Sequence, residues 1–159
     1  MKITIACVGK LKEKYLTAGV EEFTKRLTPF CKLEVVSINE EKMPENPSPA
    51  LKEQVLEKET QRLMAIIPQN SYVILLDVIG KQLSSPELAE KIDALAIGGN
   101  SHITFVIGGA FGYTDALRKR ADFAWSFSKL TFTHQMIRLL LVEQLYRAFK
   151  ISRGEKYHW

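Results

Sequence analysis

Five short apolar runs, each followed by a segment with helical periodicity, restrict the possible folds of this chain more than any other feature. Most of the runs are rich in β-branched and large apolar residues, which is typical of strands buried on both faces. They occupy residues 2–8, 33–38, 72–77, 102–107 and 122–126. Helical segments follow at residues 15–27, 50–67, 84–97, 114–120 and 133–150. This alternation predicts an α/β fold with a mainly parallel sheet and helices on both faces, and the uninterrupted run 72–77 predicts an interior strand.

The length of 159 residues predicts a single domain that spans residues 1–159. No apolar run approaches the ~20 residues of a membrane-spanning helix, and the N-terminal run is too short for the core of a secretory signal. The two cysteines lie far apart, so we expect reduced thiols and a cytoplasmic protein. The net charge of +4 and the pI of about 9.0 are compatible with an RNA partner without establishing one.

Two of the predicted strands end in loops of small and hydroxyl residues that lie close together in the sequence. The run 102–107 ends in Gly108-Gly109-Ala110-Phe111-Gly112, and the run 122–126 continues into Phe127-Ser128-Lys129-Leu130-Thr131. In open α/β sheets, ligands bind beyond the carboxyl ends of the strands. Glycine has no Cβ and lets the backbone approach a ligand closely. The stretch therefore predicts a small-molecule pocket walled by backbone, with the last helix as its floor.

Common catalytic motifs do not account for this stretch. The glycines resemble a dinucleotide-binding loop only weakly, because Val106 replaces the first glycine and Lys129 stands where an acid is expected. A tight strand-to-helix turn is the alternative. Neither a nucleophile elbow of the G-x-S-x-G type nor a P-loop occurs.

The three histidines do not have the spacing of metal ligands, so we predict no metal site. His102 is interpreted as structural. His134, at the start of the last helical segment, is either a packing residue or a site residue. Arg138, one turn beyond the predicted pocket, has no opposite charge at i±4.

The last helical segment carries apolar side chains on almost every side. Such a helix must be buried on almost every side, and one sheet of so small a domain cannot cover it. We therefore expect part of it to pack on a second copy across a two-fold axis; a single deep core helix is the alternative. The polar face of segment 50–67, which includes Glu59, is interpreted as an ordinary solvated surface.

The C-terminal residues Tyr157 and His158 follow several basic residues. Chain ends are often frayed and inert, but aromatic side chains next to cations also suit stacking on a nucleic-acid base. The final residue, Trp159, adds a third aromatic side chain.

A set of motifs across the chain resembles the RlmH family of bacterial methyltransferases, which act on N3 of a pseudouridine in 23S ribosomal RNA of the large subunit. The motifs are GGAFG at 108–112, SFSKLT at 126–131, HQMIR at 134–138, EQLYRA at 143–148 and Tyr157-His158. This family belongs to the SPOUT superfamily. The resemblance implies a trefoil-knotted α/β fold near the C-terminus, S-adenosylmethionine as methyl donor without a metal, and an obligate homodimer. Departures are Thr133, where many relatives have proline, Lys156, and Trp159 in place of a basic end.

The resemblance also implies a distribution of roles. The implied cofactor-binding residues are Leu76, Gly108, Phe127, Ser128, Lys129, Leu130, Thr131 and Phe132. The candidate catalytic residues are His158, Tyr157, Arg138 and His134, of which the histidines can accept a proton, Arg138 can stabilise negative charge and Tyr157 can stack on the target base. The expected RNA surface combines Lys10, Lys12, Lys14, Arg138, Arg147, Arg153 and Lys156.

The expected partners are a second copy of the chain and 23S rRNA in the large ribosomal subunit or the assembled ribosome, with neither DNA nor a membrane. A non-catalytic RNA- or nucleotide-binding dimer is the alternative. A nicotinamide-dependent oxidoreductase is disfavoured because the acid after the glycines is missing.

Overall fold

The computed structural model describes residues 1–158, and the expectation for Trp159 lies outside the described residues. Strands and helices alternate along the whole chain, as the sequence predicted. Their bounds are β1 Lys2–Val8, α1 Lys14–Leu27, β2 Lys32–Ile38, α2 Pro49–Ile66, β3 Tyr72–Gln82, α3 Ser85–Ile97, β4 His102–Ile107, α4 Asp115–Arg120, β5 Phe123–Ser126 and α5 Met136–Ser152. Among the described residues, no helix is both long and apolar enough to span a membrane.

The five strands form one sheet in the order β2-β1-β4-β3-β5, and every neighbouring pair is parallel. The predicted parallel α/β sheet is thus confirmed, and β3 is an interior strand between β4 and β5. Parallel pairing places the carboxyl ends of all strands at one edge of the sheet. The ends of β3, β4 and β5 are therefore neighbours in space, although the chain between β3 and β5 contains two helices and a strand.

Alternate residues of the strands face two separate apolar layers. Ile3, Ile5 and Cys7 of β1 pack against α1, α3 and α5, whereas Ala6 and Val8 pack against α2 and α4. This alternation follows from the two-residue period of a strand. Helices on both faces explain why β1, β3 and β4 carry almost no polar side chains in their central parts.

Helix α5 packs on α1 and α3, and its apolar surface is only partly covered. Leu141, Val142 and Leu145 are buried, while Leu139 and Phe149 remain half-buried. The close approach to α1 depends on Gly19, since a Cβ there would lie 2.8 Å from a methyl carbon of Leu139. One copy of the chain therefore leaves apolar surface of α5 accessible, and dimerisation stays a prediction.

The ends of two elements differ from the predicted ones. β3 extends to Gln82 instead of ending at Asp77, because Lys81 and Gln82 pair with Trp125 and Ser126 of β5 after an irregularity that follows Leu76. α5 begins at Met136 rather than at residue 133, and its N-cap residue Gln135 makes no side-chain capping bond. The turn before it is closed by the Thr133 hydroxyl, which accepts the Met136 N–H at 3.1 Å. Ser84 and Glu87 form a capping box at the start of α3.

Replacing Gly80 by alanine should destabilise the fold, because β3 crosses β5 too closely at this point for a side chain. A Cβ on residue 80 would lie 2.7 Å from the carbonyl carbon and oxygen of Ala124, which are backbone atoms that cannot rotate away. We expect Gly80→Ala to lower the free energy of unfolding by about 1–3 kcal/mol, as overpacking generally does. Urea denaturation measures the change, with the exposed neighbour Lys81→Ala as control. An unchanged midpoint for Gly80→Ala would refute the tight crossing.

Candidate active site

A cavity of about 990 Å³ lies at the carboxyl ends of β3, β4 and β5. Leu76, Asp77 and Val78 contribute from β3, and residues 107–113 contribute from the end of β4 and the loop after it. Residues 125–128 and 130–135 contribute from the end of β5 and the segment after it, and Met136 and Ile137 of α5 close the floor. The structure thus brings together the two strand-end loops and the start of the last helix, as the sequence predicted.

The residues implied as cofactor-binding converge on this cavity with one exception. Seven of the eight line it: Leu76, Gly108, Phe127, Ser128, Leu130, Thr131 and Phe132. Lys129 is exposed and does not line it. Large apolar side chains stand exposed around the mouth, among them Phe111 and Leu130, which are 54% and 71% exposed. The cavity therefore has a backbone-rich interior and an apolar rim.

Tyr113, which sequence reasoning did not single out, connects two of the strand ends. Its ring packs on Gly108 so closely that a Cβ there would lie 2.4 Å from the ring. Its hydroxyl donates a hydrogen bond to the carbonyl oxygen of Leu76 at 3.4 Å. The turn before it is closed by the Gly112 N–H, which donates to the Gly109 carbonyl at 3.1 Å, with Gly112 at φ +94°. Gly108 thus admits the Tyr113 ring, and the ring sets the separation of β3 and β4.

Asp77 places a negative charge on the wall of the cavity. Its side chain is 7% exposed, and Arg118 donates to it from Nε at 3.0 Å. Burial raises the pKa of the Asp77 carboxyl, but the hydrogen bonds from Arg118 and Tyr113 outweigh burial and hold this pKa below its usual value. Asp77 is therefore ionised at neutral pH. In the sequence, the only indication that Asp77 belongs to a site is its position at the end of an apolar run.

The hydroxyl groups of the loop after β5 mainly stabilise the loop itself. The Ser126 hydroxyl donates to the Ser128 carbonyl at 2.9 Å, and the Ser128 hydroxyl accepts the Leu130 N–H at 3.0 Å. These side-chain bonds hold the segment in a bent, non-helical conformation.

His134 is a cavity residue that is fixed by contacts to two other segments. Its Nε2 lies 3.2 Å from Glu40 Oε1, and the Lys12 ammonium lies 3.8 Å from the other oxygen of Glu40. The backbone N–H of Lys12 donates to the Gln135 side chain at 3.0 Å. These contacts join the segments after β1 and β2 to the one after β5.

Arg138 lies outside this cavity. It is 3% exposed, and its Nη2 donates to the carbonyl oxygen of Val8 at the end of β1. Unlike most cations of the expected RNA surface, Arg138 is thus buried, with its side chain beneath the end of β1. Arg147 is half-buried and paired with Glu143 at 2.6 Å. The remaining cations of that surface are exposed: Lys10, Lys12, Lys14, Arg153 and Lys156.

The C-terminal tail packs on the far end of α5. The Tyr157 hydroxyl donates to Glu143 at 3.1 Å, and the Arg147 guanidinium lies 4.7 Å from the Tyr157 ring centre and 3.4 Å from Nδ1 of His158. Glu143 is the eighth of the 17 residues of α5, so the tail folds back along the helix to a point about 9 Å from Ile137 in the cavity floor. Neither Tyr157 nor His158 lines the cavity of its own chain.

Glu59 of α2 is buried, contrary to the solvated face expected for that helix. It is 5% exposed, and its carboxylate accepts the Glu41 N–H at 3.0 Å. A Cβ on Gly109 would lie 3.0 Å from the other carboxylate oxygen. The next residue, Thr60, accepts the Thr114 N–H at 3.0 Å. α2 therefore accepts hydrogen bonds from the segments after β2 and β4 and holds them in place. Helical periodicity alone does not indicate this role.

The comparisons with known proteins define the class of this chain. Residues 1–158 match the family model described as "Predicted SPOUT methyltransferase", and the chain belongs to the SPOUT methyltransferase family. Its fold resembles a solved structure, a probable methylase family protein from Haemophilus influenzae Rd KW20. The TM-score is 0.55 at 14% identity, over 99% of this chain and 70% of that chain.

Within that class, full-length relatives carry one particular name. The chain is 53% identical over 158 residues to the Ribosomal RNA large subunit methyltransferase H of Halothermothrix orenii, covering 99% of both chains. It is 51% identical, with the same coverage, to the protein of that name from Clostridioides difficile. The resemblance seen in the motifs, and with it the expectation of a methyltransferase, is thereby confirmed. The knot and the extent of the domain stay predictions.

The buried Glu59 predicts an unusual dependence of stability on pH. Burial raises the pKa of Glu59, and the Glu40 carboxylate raises it further. The hydrogen bond from the Glu41 N–H lowers this pKa, but the net shift is upward. When the pKa of a carboxyl is higher in the folded than in the unfolded state, the protein loses stability as the pH rises from the ordinary pKa of about 4.3 to the pKa of the folded state. Glu59→Gln keeps the acceptor and abolishes this loss.

We therefore expect Glu59→Gln to become more stable relative to the natural chain as the pH rises from 4 towards 8. Urea unfolding at several pH values measures the difference. Glu57→Gln, on the exposed side of the same helix, removes the same charge and is the control. A Glu59→Gln protein that loses stability relative to the natural chain over this range would contradict the assignment.

Proposed function

We propose that this chain transfers the methyl group of S-adenosylmethionine to N3 of a pseudouridine in 23S rRNA. The observation that carries the proposal is the convergence of seven of the eight expected cofactor-binding residues on one cavity at the strand ends. Full-length relatives near 50% identity that are named for methylation of large-subunit ribosomal RNA support the same substrate class.

The cavity fits the methyl donor in size and charge. Its volume of about 990 Å³ is at the upper end of small-molecule sites. Gly108 and the segment 127–132 bring backbone close to the cavity, where it can bond to a flat base, and the ionised Asp77, paired with Arg118, lies in the wall. When bound there, the donor supplies a methyl group on a positively charged sulfur.

Methylation of N3 also requires removal of a proton, because N3 of a uracil-type ring is protonated at neutral pH. A base or a stabiliser of the developing anion is therefore required. His134 is the candidate within the cavity wall, where Glu40 orients its ring. His158, next to Arg147, is the candidate in the tail. Arg138 does not line the cavity, so a role away from the reacting atoms fits it better.

A homodimer reconciles the position of the tail with a role in catalysis. Neither Tyr157 nor His158 lines the cavity of its own chain, because Tyr157 is held against Glu143 and Arg147 on the outer side of α5. In an isologous dimer that buries the half-exposed apolar side of α5, an antiparallel approach of the two helices brings the tail of each subunit to the cavity of the other. Tyr157 of the tail then stacks on the target base beside the partner's cavity.

The RNA surface of such a dimer consists of the exposed lysines of the β1–α1 connection and the cations near the C-terminus. Lys10, Lys12 and Lys14 are spaced along one exposed segment next to the cavity mouth. Cations in this arrangement bind the phosphate backbone of RNA and position it without reading its sequence. We expect the protein to act in the cytoplasm on the large subunit or the assembled ribosome, with no role for DNA or membranes.

Calorimetry with S-adenosylmethionine, followed by transfer of a tritiated methyl group, tests the proposed reaction. The acceptors are 70S ribosomes, 50S subunits and free 23S rRNA from a strain that lacks the modification, and mass mapping of the product locates the methyl group on N3. Binding of the donor without transfer to any acceptor would refute the enzymatic proposal and favour a non-catalytic RNA- or nucleotide-binding dimer.

Deletion of residues 157–159 should abolish methyl transfer and leave the affinity for S-adenosylmethionine nearly unchanged, because Tyr157 and His158 do not line the cavity of their own chain. Gly108→Val should abolish binding of the donor, because a side chain there collides with Tyr113. Mixed dimers of the two variants contain one intact cavity facing one intact tail. Mixing the two inactive proteins should therefore restore about a quarter of the normal activity if subunits exchange freely.

Two outcomes would contradict the shared site. Full activity of the tail deletion would exclude the tail from catalysis. A mixture that stays inactive, together with sedimentation of the natural chain as a monomer at micromolar concentration, would exclude the dimer. Lys129→Ala, at the exposed position outside the cavity wall, is the matched control for cofactor affinity.

A further inference from the structure

A second, smaller cavity of about 260 Å³ lies beside the first turn of α5 and shares no described lining residue with the large one. It is enclosed by β1, β2, α1 and α5. Its lining residues are Ile5, Lys10, Leu11, Thr17, Val20, Val35, Ser37, Arg138 and Val142. The wall is thus mostly apolar, and its ionisable members are two cations.

Arg138 is an uncompensated positive charge in this wall. Only 3% of the residue is exposed, and within residues 1–158 it has no carboxylate within ion-pair distance. One of its five N–H groups donates to the Val8 carbonyl, and its Nε has no partner among the described residues. A buried charge without a partner costs several kcal/mol. Arg138 also occupies the third position of α5, where the helix dipole disfavours a cation.

The neighbouring groups do not neutralise this charge. Cys7 is the closest candidate, but burial raises the pKa of its thiol more than Arg138 lowers it. The thiol donates its proton towards the Val36 carbonyl, and it stays neutral at physiological pH. The Thr17 hydroxyl donates to the Glu13 carbonyl at 3.2 Å. The chain therefore leaves Arg138 without an internal counter-ion.

The geometry points to this cavity as a binding site for a phosphate group, held by the guanidinium of Arg138 and the ammonium of Lys10. Arginine presents a planar fork of donors that matches a tetrahedral oxyanion, and lysine adds a mobile point charge. A volume of about 260 Å³ is several times that of one water, so a phosphate fits with part of its hydration. The Ser37 hydroxyl at the edge of the cavity supplies a further donor.

We assign the phosphate to the backbone of the RNA substrate, and this source rests on the proposed function. Lys10 is exposed and begins the row of lysines at positions 10, 12 and 14, which leads from the cavity to the mouth of the large pocket. The two cavities flank the first turn of α5. A phosphodiester held at Arg138 would thus fix the register of the strand whose target base enters the large cavity.

Inorganic phosphate is the probe for the site itself. The melting temperature of the full-length protein should rise by about 3 °C or more in phosphate relative to sodium chloride of equal ionic strength. Arg138→Met and Lys10→Met should abolish this rise. Arg153→Met is the matched control: Arg153 also donates to a backbone carbonyl, that of Pro29, but does not line the cavity, and it should keep the rise.

The natural protein without a phosphate-dependent rise would overturn the site, as would a rise that persists in both Arg138→Met and Lys10→Met. If Arg138→Met does not fold, the exposed Lys10→Met and the conservative Arg138→Lys decide: the first should lose the rise and the second should keep part of it.

The salt dependence of RNA binding tests the source of the phosphate. Binding of a 23S rRNA fragment by Lys10→Met should lose about one unit of the slope of log K against log salt. A lost phosphate response with an unchanged slope would overturn RNA as the source and favour free phosphate or an anion of a partner subunit. A phosphate response that depends on Arg138 in a protein without methyl transfer would refute the proposed function and leave the anion site intact.

Discussion

Parallel pairing of β3 with both β4 and β5 is the constraint on which the rest of the structure depends. It brings three chain segments that are distant in sequence to one edge of the sheet, where each strand releases the chain into a loop. The pairing requires very close backbone contact: Gly80 lies against the backbone of Ala124, and Gly108 admits the ring of Tyr113. The Tyr113 hydroxyl then bonds to the carbonyl of Leu76, so the loop after β4 is tied to the end of β3.

Helix α5 connects the functional parts of the molecule. Its first turn closes the large cavity on one side and carries Arg138 into the small cavity on the other. Its last turns carry the tail with Tyr157, which Glu143 and Arg147 hold in place. Since Tyr157 and His158 do not line the cavity of their own chain, the proposed role of the tail in catalysis depends on a second subunit. The apolar surface that α5 leaves half-exposed is the natural place for that contact.

Much of this arrangement was predictable from the residues, because the signals were local. The apolar runs predicted the positions of all five strands along the chain and the parallel sheet, though not the order of the strands within it. The glycines after β4 together with the hydroxyls after β5 predicted the location of the cavity. The helix cap formed by Ser84 with Glu87 is also readable from the residues, since a cap involves only neighbours in the chain.

The remaining features depend on contacts between distant segments, which no local pattern contains. Glu59 sits on a helix face that looks solvated in the sequence, and the segments after β2 and β4 cover it. Arg138 looked like an exposed cation and lies beneath the end of β1. The extension of β3 to Gln82 arises because β5 offers a pairing partner there. The contacts of Tyr113 and Asp77 depend on the pairing of β3 with β4, which no local pattern in the sequence indicates.

A crystal structure of the dimer with S-adenosylmethionine tests the central claim most directly. The account predicts the donor between the ends of β3, β4 and β5, in contact with Gly108 and residues 127–132, with the tail of the partner subunit at the mouth of the same cavity. Electron density for the donor anywhere else, or a partner tail far from the cavity that holds it, would contradict the account.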